Sequence, residues 1–524
     1  MSESAAASPP IEYPGHRQRW LTLVAIALGV MMVALDGTVV GVANPTIAKD
    51  LGSSLAGLQW VTNGYLLALA VSLIFGGKLG DRFGRRKIFV IGIVGFALTS
   101  LGCALSTSTG MLIGFRVLQG LAGALLMPNT LGILRATFPP DELNRAVGIW
   151  GGASALAVAS GPIVGGLLVE HVSWESIFLL NLPLGLIAGF FALRWIKESR
   201  DLTHTGGFDM PGVGLLSGGL FLVIWALIKA QEHGWTSTYV LGFGLAGLVV
   251  LGLFVLRENS TRDPLLPLSL FKSRSISAGV VLVIGGFFAL FGVLFFIGLY
   301  LQNVHGYSPV ETGVRMLPLT AVFTISAPLG GILTERFGPR WPLAGGMLLL
   351  AAAFFGLTGL ETDSSYSSQW PCFLAIGLAM GLIIVSSTEA IVGNAPVERG
   401  GIAGGLQSTA QQLGGVLGTA VLGSVIVSSV ADALPGKLAD SGVTGEVAEK
   451  IVAEKEVVGQ GLAPVADAMP PELIDAVTSA SHAAFMSGLH TSMWVGVAVA
   501  LAGAGLALLV GRGDSESGPT HVGM

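Results

Sequence analysis

GGKLGDRFGRRK, residues 76–87, gathers six charges, five of them basic, in a 524-residue chain of which only 11% is charged. Long apolar runs flank it on both sides. Charges at this density do not lie in hydrocarbon, so the stretch reads as a loop between two membrane-crossing helices. The pattern returns later in the chain. Gly77-x-Leu79-x-Asp81-Arg82-Phe83-Gly84-x-Arg86 is echoed as Gly331-x-Leu333-x-Glu335-Arg336-Phe337-Gly338-x-Arg340, with every spacing kept. A duplicated loop implies two similar halves, the arrangement in which many transporters build a site at the interface between repeats.

Composition agrees. Hydrophobic residues make up 52% of the chain, and its charge is less than half the roughly 25% of an average soluble domain. Apolar runs recur that are long enough to cross a hydrocarbon core of about 30 Å as helices. The fold expected is an all-α polytopic membrane protein. The net charge of −5 is small and unevenly placed, and no basic tract with interleaved aromatics points to nucleic acid. Cys103 and Cys372 sit in separate apolar segments and read as packing residues. The first apolar run, WLTLVAIALGVMMVALDGTVVGVA, exceeds the ~7–15 residues of a cleavable signal and reads as a retained span. No G-x-x-x-x-G-K-[ST] is present, which argues against an ATP-driven pump, and GFGLAG at 242–247 lies inside an apolar run rather than after a strand. No catalytic triad is legible and no cofactor or metal is expected, so the chain does not read as an enzyme.

Fourteen spans are expected, near residues 20–42, 57–77, 88–106, 110–133, 146–168, 175–196, 210–230, 238–256, 276–301, 312–334, 341–360, 370–392, 402–429 and 486–511. Short basic loops stay cytoplasmic. With the N-terminus inside, most of the 27 Lys and Arg are inside too, among them Arg17, Arg19, the five of 76–87, Arg194, Lys197, Arg200, Arg336, Arg340, Arg399 and Arg512. The outer side keeps Lys49, Lys229, Arg315 and the lysines of one long loop. The expected plan is a cytoplasmic segment 1–19, a six-helix bundle 20–200, two inserted helices 201–260, a second six-helix bundle 261–511 and a cytoplasmic tail 512–524. The outer loop 430–485 is acidic, and its EVAEKIVAEKEVV reads as an amphipathic helix with Val447 and Ile451 on one face and Glu446 four residues before Lys450.

For the repeated loop, the glycines Gly77 and Gly84 permit a tight turn and close helix approach. Asp81 can reach the positive N-terminus of a neighbouring helix. With Arg82, Arg85 and Arg86 it forms a charged clasp suited to gating between two halves, beyond anchoring the loop.

These stretches resemble the major facilitator superfamily and, within it, the fourteen-span drug:proton antiporters. GKLGDRFGRRK is similar to the superfamily's loop signature, RVLQG at 116–120 to its span-4 signature, and GPIVGG at 161–166 to its span-5 antiporter signature. LDGTVVGVANPTI at 35–47 resembles the span-1 signature with Gly41 and Asn44 in place of Asn and Leu. WESIFLLNLPLG at 174–185 resembles the lead into span 6, with Glu175 and Ser176 in place of Arg-Trp. The resemblance covers about residues 20–429. It implies two bundles that alternate between inward-open and outward-open forms, exporting a small molecule in exchange for protons.

Asp36 and Arg116 fall inside spans 1 and 4 at similar depth. A charge there costs about 2.5–3.5 kcal/mol or more unless it faces a partner or a cavity. Burial disfavours the charge on the acid and a nearby guanidinium favours it, so a change in their separation changes the acid's affinity for H⁺. The pair is read as the proton-coupling site, against the plainer reading of a buried ion pair that fixes packing. Gly161, Pro162, Gly165 and Gly166 read as a hinge or tight seal in span 5. Gln59, Asn63, Gln119, Asn129, Glu389, Gln407, Gln411 and Gln412 are polar groups on apolar helices that together suggest a hydrated substrate path. The partners expected are a small molecule, protons and the lipid bilayer, with the chain acting as a monomer in the cytoplasmic membrane. Drugs, antibiotics or dyes are the expected cargo; a dedicated exporter of one metabolite or lipid, or a non-transporting sensor, is the alternative.

Overall fold

The computed structural model describes residues 15–200, 209–261, 264–395, 400–466 and 469–511. Arg399 and Arg512, counted above among the inner basic residues, lie outside these residues, as do 1–14 and the rest of the tail 512–524.

Among the described residues there are 14 helices long and apolar enough to cross a membrane, as expected, and no strand. The first six spans are α1 (His16–Leu51), α2 (Leu55–Phe83), α3 (Arg85–Ala104), α4 (Thr109–Thr137), α5 (Pro140–His171), and a sixth in two pieces, α6 (Ser176–Leu179) and α7 (Asn181–Trp195). The inserted pair is α8 (Met210–His233) and α9 (Thr238–Ser260). The second half runs through α10 (Arg274–Leu299), α11 (Pro309–Arg315) leading into α12 (Leu317–Phe337), α13 (Arg340–Leu357), α14 (Tyr366–Thr388) and α15 (Gly400–Asp440). Two short helices, α16 (Gly445–Ala453) and α17 (Lys455–Val458), then precede the last span, α18 (Pro471–Ala507). We call the face at which α1 begins the proximal face and the opposite one the distal face.

Local chemistry sets the ends. The hydroxyls of Ser54, Ser108, Ser237, Ser273 and Ser308 each accept a backbone N–H from the first turn of the helix that follows, satisfying donors that the helix itself leaves open. The repeated loop turns at a glycine in both copies: Gly84 at φ 112° ends α2 and Gly338 at φ 77° ends α12, backbone that a β-carbon disfavours.

Packing reproduces the repeat. In the first bundle α1 packs on α5 and α7, α2 on α4, and α3 on α4 and α7. The matching pairs of the second bundle are α10 on α15 and α18, α12 on α14, and α13 on α14 and α18. The bundles meet along two seams that a two-fold rotation would exchange, α2 against α15 and α5 against α11 and α12, with α1 and α10 between them. The inserted pair breaks that symmetry. α8 lies against both α2 and α15, with Trp60 of α2 packed on Phe221 and Trp225 at 5.6 and 5.7 Å between ring centroids. α9 turns Leu241, Leu245, Leu248 and Val249 outward, an exposed apolar face of the kind that meets lipid.

The segment 430–485 is more helical than a connecting loop. α15 and α18 both extend through it, burying Val430, Leu434 and Leu438 against Val477, Ala480 and Ala484 at helical spacing. The amphipathic helix forms as α16, with Ile451 buried and Glu446 paired to Lys450 at 2.7 Å, but it stops at Ala453 and the chain restarts as α17. This cap is tied to the distal end of the second bundle by Asn303 Nδ2, which donates to the Gln460 carbonyl at 2.7 Å.

Candidate functional site

Asp36 of α1 and Arg116 of α4 meet. Both side chains are almost fully buried, and Arg116 Nη1 donates to Asp36 Oδ2. The other carboxylate oxygen, Oδ1, accepts from Gln119 Nε2 at 2.9 Å and from Asn181 Nδ2 at 3.0 Å. Ser100 of α3 receives Gln119 Nε2 and Asn181 Nδ2 at 3.1 and 2.9 Å and donates to the Phe178 carbonyl at 2.9 Å. Arg116 also bonds Gln119 Oε1 at 2.8 Å through Nη1 and the Val61 carbonyl at 3.1 Å through Nε. Its guanidinium carbon lies 4.1 Å from the centroid of the Tyr65 ring, a cation–π contact strengthened by the burial of both side chains. Cys103 is free, buried, and within 3.6 Å of Gln119 Oε1.

The carboxylate thus has three donors drawn from α4 and α7, and the guanidinium has partners on α1, α2 and α4. Such a network is fully satisfied only while Asp36 is ionised. Removing one member of a buried pair leaves an uncompensated charge, at a cost of about 3–5 kcal/mol. The acid lies inside the first bundle, enclosed by protein on every side. Its neighbours in sequence, Gly37 and Thr38, line a small cavity between the bundles with Val40, Gly41, Thr62, Phe291, Leu294, Phe295 and Thr419.

The span-5 string lies at the distal seam. α5 continues unbroken through Pro162. A β-carbon on Gly161 would lie 2.0 Å from Thr38 Oγ1, and one on Gly165 would lie 2.8 Å from Val39 Cγ2, so the string packs closely on α1. Gly166 faces the other bundle, where a β-carbon would meet the Pro309 carbonyl oxygen at 2.5 Å; Gly313 reciprocates against the Pro162 carbonyl at 2.3 Å. Glu170 adds a bond across the seam, accepting Val310 N–H at 2.9 Å, and Gln302 Nε2 donates to the Val42 carbonyl at 3.0 Å.

The charged loop is held differently from the clasp expected of it. Asp81 pairs with Arg85 four residues on, at 2.7 Å, within its own bundle. The acid that reaches the N-terminus of α3 is Glu198, whose carboxylate accepts Arg86 N–H and Lys87 N–H at 3.0 and 3.2 Å. Arg86 bonds the Leu193 carbonyl, and Arg85 N–H the Ser199 carbonyl at 3.0 Å. Toward the second half, Lys78 Nζ donates to the Pro264 carbonyl at 3.4 Å. In both copies an arginine lies over the adjacent phenylalanine, Arg82 on Phe83 and Arg336 on Phe337.

The polar residues of the expected path separate into distinct roles. Gln59 and Asn63 bond Thr419 across the α2–α15 seam, and Gln119 belongs to the Asp36 network. Asn129 bonds the Gly76 and Leu125 carbonyls, joining α4 to α2. Gln407 bonds Thr388 at 2.5 Å, while Glu389 is exposed at the proximal end of α14 and Gln411 and Gln412 are half-buried on α15. Sequence reasoning missed Ser100, Tyr65, Asn181 and Thr419. Asn181 carried a signal, a lone amide in the apolar string FLLNLPLG; Ser and Thr carry almost none, because in apolar helices they commonly bond their own backbone.

A family model described as Major Facilitator Superfamily matches residues 26–419. Among curated proteins, the chain is 47% identical to a tetracenomycin C resistance and export protein of Streptomyces glaucescens, covering 95% of this chain and 92% of that one. It is 34% identical to the methyl viologen resistance protein SmvA of Salmonella typhimurium, covering 94% and 97%. Among solved structures, a bacterial homolog of the human lysosomal transporter Spinster in an inward-facing, unoccupied conformation superposes with a TM-score of 0.63 at 20% identity, covering 95% and 98% of the two chains.

Proposed function

The chain belongs to the Major Facilitator Superfamily, and from that premise we propose that it exports small amphipathic or hydrophobic compounds, drugs and antibiotics among them, in exchange for protons by alternating access. The names of the relatives, one for resistance to and export of tetracenomycin C and one for methyl viologen resistance, support the cargo class. In this reading the chain spans the cytoplasmic membrane with its proximal face and both termini on the cytoplasmic side, the bundles divide near residues 200 and 261, and the monomer is the working unit.

The observation that carries proton coupling is the three-donor carboxylate of Asp36 bonded to Arg116. A proton added to Asp36 removes its negative charge and strands Arg116, so the network relaxes only by rearranging. Each unit of pH difference across the membrane supplies about 1.4 kcal/mol per proton toward that change. The Gly166–Pro309 and Gly313–Pro162 contacts act as the distal seal. The loop at 77–86 acts on the opposite face as the proximal gate, through Lys78 toward the second half.

The test is transport by purified protein in vesicles carrying an imposed pH gradient, with tetracenomycin C and methyl viologen as first probes. Extrusion that collapses with the gradient, and in Asp36→Asn protein that stays monodisperse, is expected. Extrusion that persists in both arms rejects proton coupling. No movement of either compound, or of a wider panel of drugs and dyes, rejects export itself.

A further inference from the structure

Asp36 is buried within one bundle, whereas alternating access requires the two bundles to move against each other. Among the groups that touch the carboxylate, Gln119, Asn181 and Arg116, the last alone also bonds α2, the helix that lines one seam. It holds α2 twice, by the Val61 carbonyl at 3.1 Å and over the Tyr65 ring at 4.1 Å. Val61 stands midway between Gln59 and Asn63, and both of these reach the same residue of the opposite bundle. Gln59 Nε2 donates to the Thr419 carbonyl at 2.8 Å, and Thr419 Oγ1 donates to Asn63 Oδ1 at 2.5 Å. All three side chains are buried.

We propose that Thr419 is the positioning residue through which the opposite bundle reads the charge of Asp36: a releasable latch on α15, held by Gln59 and Asn63 while Arg116 grips both Asp36 and α2. The proposal rests on the proton-coupled reading above and supplies its mechanical link. The hydroxyl chemistry suits release. A threonine hydroxyl has one proton to donate, and that of Thr419 has acceptors in its own helix, the Gly415 and Val416 carbonyls, each at 3.1 Å. When Asn63 withdraws, the hydroxyl turns back to its own helix and no donor is stranded. Asn63 is suited to leave, because its Nδ2 has no hydrogen-bond partner and only Oδ1 holds it to the seam. Thr62 and Thr419 both line the small inter-bundle cavity, so the latch stands where the two bundles part.

The titratable or charged groups facing Asp36 are Arg116 of α4, Tyr65 of α2 and Cys103 of α3; α7 faces it with the neutral Asn181. Protonating Asp36 frees Arg116, the hold on the Val61 carbonyl and the Tyr65 ring changes, and the latch opens.

The experiment is amide hydrogen exchange of the full-length protein in lipid nanodiscs, read over 55–63 of α2 and 415–423 of α15 from about pH 5 to pH 8 after correction for intrinsic rates. Wild-type protein is expected to lose protection at both segments as pH falls, and Asp36→Asn to show the low-pH pattern throughout. Thr419→Val, which keeps the backbone carbonyl and removes the hydroxyl, is expected to exchange about tenfold faster at high pH and to lose the pH dependence, with Thr419→Ser restoring it. Should Thr419→Val prove polydisperse, Asn63→Ala tests the other half of the same bond. If Asp36→Asn matches wild type, or wild type shows no pH dependence, the proton-coupled reading falls and the latch with it. If Asp36→Asn releases the segments while Thr419→Val and Asn63→Ala keep wild-type pH dependence, the latch alone is overturned.

Discussion

Gly166 of α5 and Pro309 of α11 approach so closely that a single methyl group on Gly166 would lie 2.5 Å from the Pro309 carbonyl oxygen, inside the contact distance of any real side chain. The obstacle is backbone on the far side, which cannot swing away. Gly166→Ala and Gly313→Ala should each hold the distal seam ajar, lowering gradient-driven transport about tenfold or more, the scale set by an overpacking penalty of ~1–3 kcal/mol. Labelling of a cysteine placed near Val310 by a membrane-impermeant reagent checks this: unchanged labelling in both variants would show that the seam closes without intimate contact.

Arg116→Lys retains the charge and discards the fork. An ammonium cannot bond the Asp36 carboxylate, Gln119 and the Val61 carbonyl from one rigid plane while lying flat over Tyr65. Transport is expected to fall at least about tenfold, the equivalent of losing one charge-assisted hydrogen bond of ~1.5–3 kcal/mol. Full activity in the lysine variant would reduce the arginine to a counter-charge.

Glu198 is exposed and caps the first turn of α3 through Arg86 and Lys87 N–H. Glu198→Gln should lower stability by about 0.5–1 kcal/mol, an effect that weakens with added salt. Thermal melting in detergent at low and high ionic strength measures it.

His305 lies just past the distal end of α10, sharing a 2.8 Å hydrogen bond with Tyr300 and stacked on Tyr307 at 5.2 Å, with Arg315 on the same tyrosine. Burial, reinforced by Arg315, holds its imidazole below the ordinary histidine range. The unfolded chain therefore takes up a proton more readily than the folded one. Stability contributed by neutral His305 is complete above a pH of about 6.5 and is lost as pH falls below it. His305→Asn should flatten that part of the melting-temperature profile, and an unaltered acid limb would contradict the assignment.

Asn44 is fully buried on α1, and neither amide atom has a hydrogen-bond partner. An orphaned buried amide costs about 1–3 kcal/mol. Asn44→Leu, of similar size, should raise the melting temperature. A drop would mean that the amide is satisfied in solution.

The number of crossings, the two halves and the Asp36–Arg116 pair were legible because each breaks a strong rule of hydrocarbon: length and apolarity mark a span, and charge within a span demands a reason. The groups that complete the site were not. Ser100, Asn181 and Thr419 are uncharged, and what makes them matter is which helices stand beside them, information that one-dimensional periodicity does not contain. The helical extensions of α15 and α18 were missed for a related reason. Their Ala-, Ser- and Asp-containing turns fall below the apolarity of a lipid-crossing segment, although Val430, Leu434 and Leu438 recur at every fourth residue. The loop at 76–87 was placed between spans 2 and 3 and given its turn, but Glu198, more than a hundred residues away, took the capping role expected of Asp81.

α8 braces only one of the two lines along which the bundles meet. Parting α2 from α15 requires sliding past, or dragging along, a third helix keyed to Trp60, whereas α5 and α12 have no such buttress among the described residues. In the rocking motion proposed above, one edge of the molecule must carry this third helix and the other need not. The pseudo-dyad that relates its halves at rest does not relate the forces that move them.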